Sequence, residues 1–166
     1  ARACQKAINL DLPRTFPDLS FFHTDDSPYK NNLRELLEAF VLLRPDVGYS
    51  QGMSFLAAFL LLYLEPGDAF ICFVNMMSRS CFLHFFGMKM PEVRIYMEVH
   101  QRLFAEELPT LFAHLHKSEI KPEMYLVNWI MTMYCQALPL ECTARVWDLY
   151  FMDGDAMLFR VALGIL

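Results

Sequence analysis

Apolar residues recur along this chain with the period of a helix. Between Ser27 and Pro45, "SPYKNNLRELLEAFVLLRP" places Leu33, Leu36, Leu37, Phe40 and Leu43 on one helical face. Ser27 reads as the N-cap of that helix, Pro28 as its first residue, and Pro45 as the signal that stops it. Residues 53–64, "MSFLAAFLLLYL", are apolar all round, which predicts a helix deep in the core. Prolines open further helices: Pro66 before "GDAFICFVNMMSR", Pro91 before "EVRIYMEVHQRLFAEEL", Pro122 before "EMYLVNWIMTMYCQAL" and Pro139 before "LECTARVWDLYFM". Pro109 should break the run that begins at Pro91 and start a shorter helix over "TLFAHLHK". An Asp153-Gly154-Asp155 turn leads into a last helix, "AMLFRVALGIL". At the other end, Pro13 should end an opening helix and leave Arg14 on a loop.

No segment alternates with period two between turn residues, so no strand is expected and the fold class is all-α. With no linker or repeat, residues 1–166 read as one domain. The helical pattern starts abruptly and runs to Leu166 without a capping residue. The expectation is a piece of a larger helical domain.

Composition narrows the classes of function. The chain is 55% hydrophobic, above an average soluble domain. Its longest apolar run is nevertheless only about 12 residues, against the ~20 needed to span a bilayer, so a core helix is expected rather than a membrane span. The first residues contain no signal-peptide core, so nothing marks export. Five cysteines, Cys4, Cys72, Cys81, Cys135 and Cys142, form no C-x-x-C pair and read as free thiols in apolar surroundings. A formal charge of −5 with no basic run argues against nucleic acid as a partner.

One short stretch, "VGYSQGM", permits two chemistries. Gly48-Tyr49-Ser50-Gln51-Gly52 fits G-x-S-x-G, the strand-to-helix turn that presents a nucleophilic serine. That turn needs a preceding strand and a parallel sheet, and helical periodicity precedes it here. Other candidates are weaker still. His114 and His116 would point about 200° apart on a helix, which prevents them from sharing a metal. Glu106 and Glu107 read as a solvated face, the histidines as structural, and Trp129 and Trp147 as core anchors. No glycine-rich phosphate loop is present, so no nucleotide cofactor is expected.

Two elements remain. Ile8, Asp11 and Arg14 stand in I-x-x-D-x-x-R spacing within "INLDLPRTFP", and Tyr49 and Gln51 stand in Y-x-Q spacing within "GYSQGM". In this order and at this separation they resemble the TBC domain of Rab GTPase-activating proteins. The likeness continues through "NWIMTMYCQALPLECTARVWDLYFMDGDAMLFRVALGIL" and covers essentially the whole chain. Ile130 follows Trp129 where many family members have phenylalanine. The resemblance implies that this chain lacks the family's first helix and the end of its second helical lobe.

The resemblance also implies a division of labour. Arg14 would act as an arginine finger and Gln51 as a glutamine finger, both inserted into the nucleotide site of a GTP-bound Rab-family small GTPase. Asp11 would buttress Arg14, Tyr49 would anchor the loop, and Gly48 and Gly52 would allow its tight turns. The chain would carry no cofactor of its own, since GTP and Mg²⁺ belong to the partner. It would reach endomembranes from the cytoplasm through the Rab, without inserting into the bilayer. The alternative is a catalytically silent TBC-like module that binds a Rab or serves as a scaffold.

Overall fold

The computed structural model describes residues 2–22, 24 and 27–166, and all the regular elements among them are helical. They fall into two compact units, Ala1–Phe86 and Gly87–Leu166.

In the first unit, α1 (Arg2–Asp11) runs into a 3₁₀ turn, Leu12–Arg14, and a second such turn covers Ser20–Phe22. Helix α2 (Pro28–Leu43) follows, then α3 (Met53–Leu61), α4 (Pro66–Met77) and α5 (Ser80–Phe86). Every residue of α3 is buried, as its apolar pattern predicts, but the helix ends at Leu61 rather than Leu64, and Tyr63 beyond it is exposed. It packs against α2 and α4, and Phe40 of α2 meets Phe73 of α4 edge-on at 5.0 Å. Leu33, Leu36, Leu37 and Phe40 form the buried stripe of α2, while Leu43 at its end is exposed.

Local details depart from expectation. Ser27 has the extended conformation of an N-cap, yet its hydroxyl makes no capping bond. The Ser27 carbonyl serves the turn by accepting from Asn31 N at 3.2 Å. Helix α5 was not among the expected elements. It is only seven residues long, and Cys81, Phe82, Phe85 and Phe86 of it are buried.

The second unit contains α6 (Met90–Glu107), α7 (Pro109–Lys117), a 3₁₀ turn at Pro122–Met124, α8 (Leu126–Met131), α9 (Leu140–Asp153) and α10 (Ala156–Ile165). The breaks at Pro109 and at Gly154 (φ 74°) fall where the sequence puts them. The helix expected from Pro122 through Leu138 does not form as one piece. It stops at Met131, and Met133 and Tyr134 take left-handed φ values of 42° and 65°. Met133 N donates to Ile130 O at 3.0 Å and Tyr134 N to Trp129 O at 2.8 Å, which is a Schellman ending without glycine. Tertiary bonds hold it there: the Trp147 indole donates to Met133 O at 3.2 Å, and the Tyr134 hydroxyl donates to Leu158 O.

Trp147 is a core anchor as expected, but Trp129 is only half-buried. The cysteines are free, and Cys142 is exposed rather than set in apolar surroundings. No single helix among the described residues is long and apolar enough to cross a membrane.

Candidate functional site

The site forms where the turn after α1 meets the loop before α3. Asp11 is the last residue of α1 and is buried, its side chain only 6% exposed. A carboxylate there faces the negative end of the helix dipole and has left water, so it needs donors. Arg14 supplies two. Its Nε donates to Asp11 Oδ1 at 2.9 Å, and its Nη2 donates to the same oxygen. Tyr49 supplies the third, its hydroxyl donating to Oδ2 at 2.6 Å from 38 residues away. Burial first, and then the bond to Asp11, push the Tyr49 hydroxyl well above the ordinary tyrosine range.

Arg14 therefore does not sit on a loose loop. Pro13 lies inside a 3₁₀ turn, closed by Thr15 N donating to Leu12 O at 3.3 Å, and Arg14 is the last residue of that turn. Its side chain is 59% exposed and reaches solvent while one edge stays clamped to Asp11. Of the guanidinium's N–H groups, the Nη1 pair and one hydrogen on Nη2 remain for a ligand.

The glutamine is presented by a loop with a defined shape. Arg44 caps α2, and its carbonyl accepts from Val47 N at 3.1 Å and Gly48 N at 2.9 Å. Its guanidinium grips Asp46 bidentately, Nε to Oδ1 at 2.9 Å and Nη2 to Oδ2 at 2.7 Å. Gly48 at φ 68° and Gly52 at φ 102° supply the two left-handed positions of the loop. Gln51 lies between them, exposed, and its amide has no hydrogen-bond partner among the described residues. Ser50 is half-buried, and its backbone N–H points to Met53 Sδ at 3.4 Å. A helix and a turn precede Ser50, not a strand, so the nucleophile-elbow reading has no structural basis.

Three residues that sequence reasoning missed complete the site. Thr15 Oγ1 lies 2.8 Å from both the Asp11 carbonyl and Ser54 Oγ. Phe16, at a left-handed φ of 47°, turns its ring edge-on to Phe55 at 5.4 Å. One signal was available for Ser54: it is a lone hydroxyl in an otherwise apolar helix, and a buried polar group requires a partner.

The remaining candidates do not converge. Among the described residues no three histidine, cysteine or acidic side chains cluster as metal ligands. Glu106 and Glu107 are exposed, as expected. His100 is buried, with Nε2 3.0 Å from the Tyr125 hydroxyl, and burial lowers its pKa to about 4.

A buried aspartate thus clamps an exposed arginine, and a glycine-flanked loop presents an exposed glutamine. The family model of the Rab-GTPase-TBC domain matches residues 1–166, and the chain belongs to that family. It is 44% identical over 164 residues to TBC1 domain family member 14 of Homo sapiens, which covers 99% of this chain and 24% of that protein. It is 38% identical over 156 residues to Drainin of Dictyostelium discoideum, which covers 94% of this chain and 35% of that protein. The chain thus spans a quarter to a third of the length of these curated relatives. Among solved structures, the Chlamydomonas flagellar RabGAP TBC domain superposes with a TM-score of 0.82 at 25% identity, covering 96% of this chain and 52% of that one. The Ypt/Rab-GAP domain of Gyp1p shares the fold with a TM-score of 0.74 at 17% identity, covering 94% and 56%.

Proposed function

We propose that this chain accelerates GTP hydrolysis by a GTP-bound Rab-family GTPase, lending Arg14 and Gln51 to the partner's nucleotide site. The observation that carries this reading is the Arg14–Asp11–Tyr49 network, which brings the arginine-bearing turn and the glutamine-bearing loop together. Membership in the Rab-GTPase-TBC family supports the choice of partner.

The chemistry belongs to the GTPase, whose GTP and Mg²⁺ it uses. A water oxygen bonds to the γ-phosphorus as the bridging oxygen–phosphorus bond breaks, leaving GDP and inorganic phosphate, with the water's proton on the phosphate side. Charge develops on the transferring group, and a guanidinium placed beside it is worth about 10³–10⁵ in rate. Arg14 meets that need with its free N–H groups, and Asp11 restricts its rotamers in advance. The Gln51 amide can accept from the attacking water and donate to a phosphate oxygen, which orients the water in line. Through the Rab, the protein would act at endomembranes from the cytoplasmic side.

Single-turnover hydrolysis by a panel of GTP-loaded Rabs tests the reading. The expected result is strong acceleration of one or a few Rabs, lost in Arg14→Ala and in Gln51→Ala. Rab binding without acceleration would instead identify a silent binding module or scaffold.

A further inference from the structure

The two proposed fingers lie on segments that are tied together a second time, at a point neither finger motif includes. Thr15 follows Arg14 directly, and Ser54 stands three residues beyond Gln51, in the first turn of α3. Both side chains are buried, and their hydroxyl oxygens are 2.8 Å apart across 39 residues of sequence. We propose that the Thr15–Ser54 hydroxyl pair is a positioning device that sets the arginine turn in register with the glutamine loop, which makes both residues positioning residues for Rab GTPase activation. This inference rests on the function proposed above.

The bonding pattern explains why hydroxyls are needed. The Asp11 carbonyl can only accept, and Thr15 has a single hydroxyl hydrogen, so Thr15 donates to Asp11 O and accepts from Ser54. The Tyr49 hydroxyl donates to the Asp11 carboxylate at 2.6 Å. Asp11 is thus held at two points, its carboxylate by Arg14 and Tyr49 and its carbonyl by Thr15. The Asp11–Tyr49 bond acts at the tip of the loop, while the hydroxyl pair acts at the root of α3. Two separated ties fix an orientation, whereas a single tie leaves a pivot. The ring of Phe16 against Phe55 lies next to the second tie and does not replace its direction-dependent bond.

The test compares Thr15→Val, Thr15→Ser and Ser54→Ala in the intact protein. Valine keeps the shape and removes the hydroxyl, while serine keeps the hydroxyl and removes a methyl. Under the proposal, Thr15→Val lowers kcat for stimulated GTP hydrolysis by about 10- to 100-fold, as displaced catalytic groups do. The KM for the GTP-loaded Rab stays within twofold, and Thr15→Ser recovers most of the parental kcat. Hydrogen–deuterium exchange, read without any GTPase present, should quicken in peptides covering both residues 12–18 and 47–56 of Thr15→Val and Ser54→Ala. An active parent with a Thr15→Val variant of parental kcat would overturn the positioning role. So would equal losses in Thr15→Ser and Thr15→Val, since packing of the methyl would then be responsible. A parent inactive on every Rab, whose variants still show faster exchange, would overturn the GTPase reading and leave the hydroxyl pair as a structural tie only.

Discussion

The hydroxyl of Tyr49 donates to the buried carboxylate of Asp11 at 2.6 Å, and that bond joins the two halves of the candidate site. Asp11 is neutralised from the other side by Arg14, so one carboxylate fixes both the turn and the loop. Disturbing any member should therefore act beyond its own contact.

Arg14→Ala should lower stimulated hydrolysis by about 10³-fold or more, as removal of an arginine finger does. Arg14→Lys should recover little, because an ammonium restores the charge but not the planar fork that grips Asp11 Oδ1. Exposure of the side chain alone would suggest no cost in stability. The bonds to a buried carboxylate argue for a loss of about 1–3 kcal/mol, measurable by denaturant titration.

Gln51→Ala should abolish most of the acceleration while changing stability by less than about 0.5 kcal/mol, because the exposed amide bonds to none of the described residues. Ser50→Ala should keep parental activity. Paired kinetic assays of the two variants check this, and the opposite ranking would reopen the serine as the working group.

Tyr49→Phe removes one of the donors to Asp11 and should cost about 1–3 kcal/mol together with a loss in kcat. It should also change the alkaline pH dependence. The folded pKa of Tyr49 is raised, so its contribution is complete below the unfolded value of about 10 and is lost as pH rises through the folded value. Stability of the parent should fall above about pH 10 more steeply than that of Tyr49→Phe.

Gly52→Ala forces a side chain into a left-handed φ of 102° immediately before α3. The expected loss is about 1–2 kcal/mol, with a fall in activity as the Gln51 loop changes shape. Gly67→Ala is the control, since that glycine is helical, has no positive φ, and a Cβ there would meet nothing within 4 Å.

His100 should contribute to the pH dependence of stability on the acid side. Its folded pKa is depressed to about 4 from an unfolded value near 6.5, so its contribution is present above about pH 6.5 and is lost as pH falls toward 4. Stability should decline in that window by up to about 1.4 kcal/mol per pH unit. A non-titrating His100→Gln variant should show a shallower decline, measured by thermal unfolding across the pH series.

Helical periodicity and proline placement were enough to read α2, α3, α4, α6, α7, α9 and α10 from the chain, because both act within a few residues. The spacing of Asp11 with Arg14 and of Tyr49 with Gln51 pointed to the candidate site only through its resemblance to the TBC family, and the glycines at 48 and 52 signalled its turns. What local pattern could not decide were the features set by partners distant in sequence. The stop of helix α8 at Met131 is held by Trp147 donating to Met133 O and Tyr134 donating to Leu158 O, and no glycine at positions 132–134 announces it. Arg14 is clamped rather than loose because Tyr49 helps hold its aspartate in place. Thr15 and Ser54 read as ordinary hydroxyls until the fold buries them 2.8 Å apart. Sequence fixes short-range backbone preference, but only the folded chain decides which buried polar groups must satisfy one another, because that need arises when water is removed.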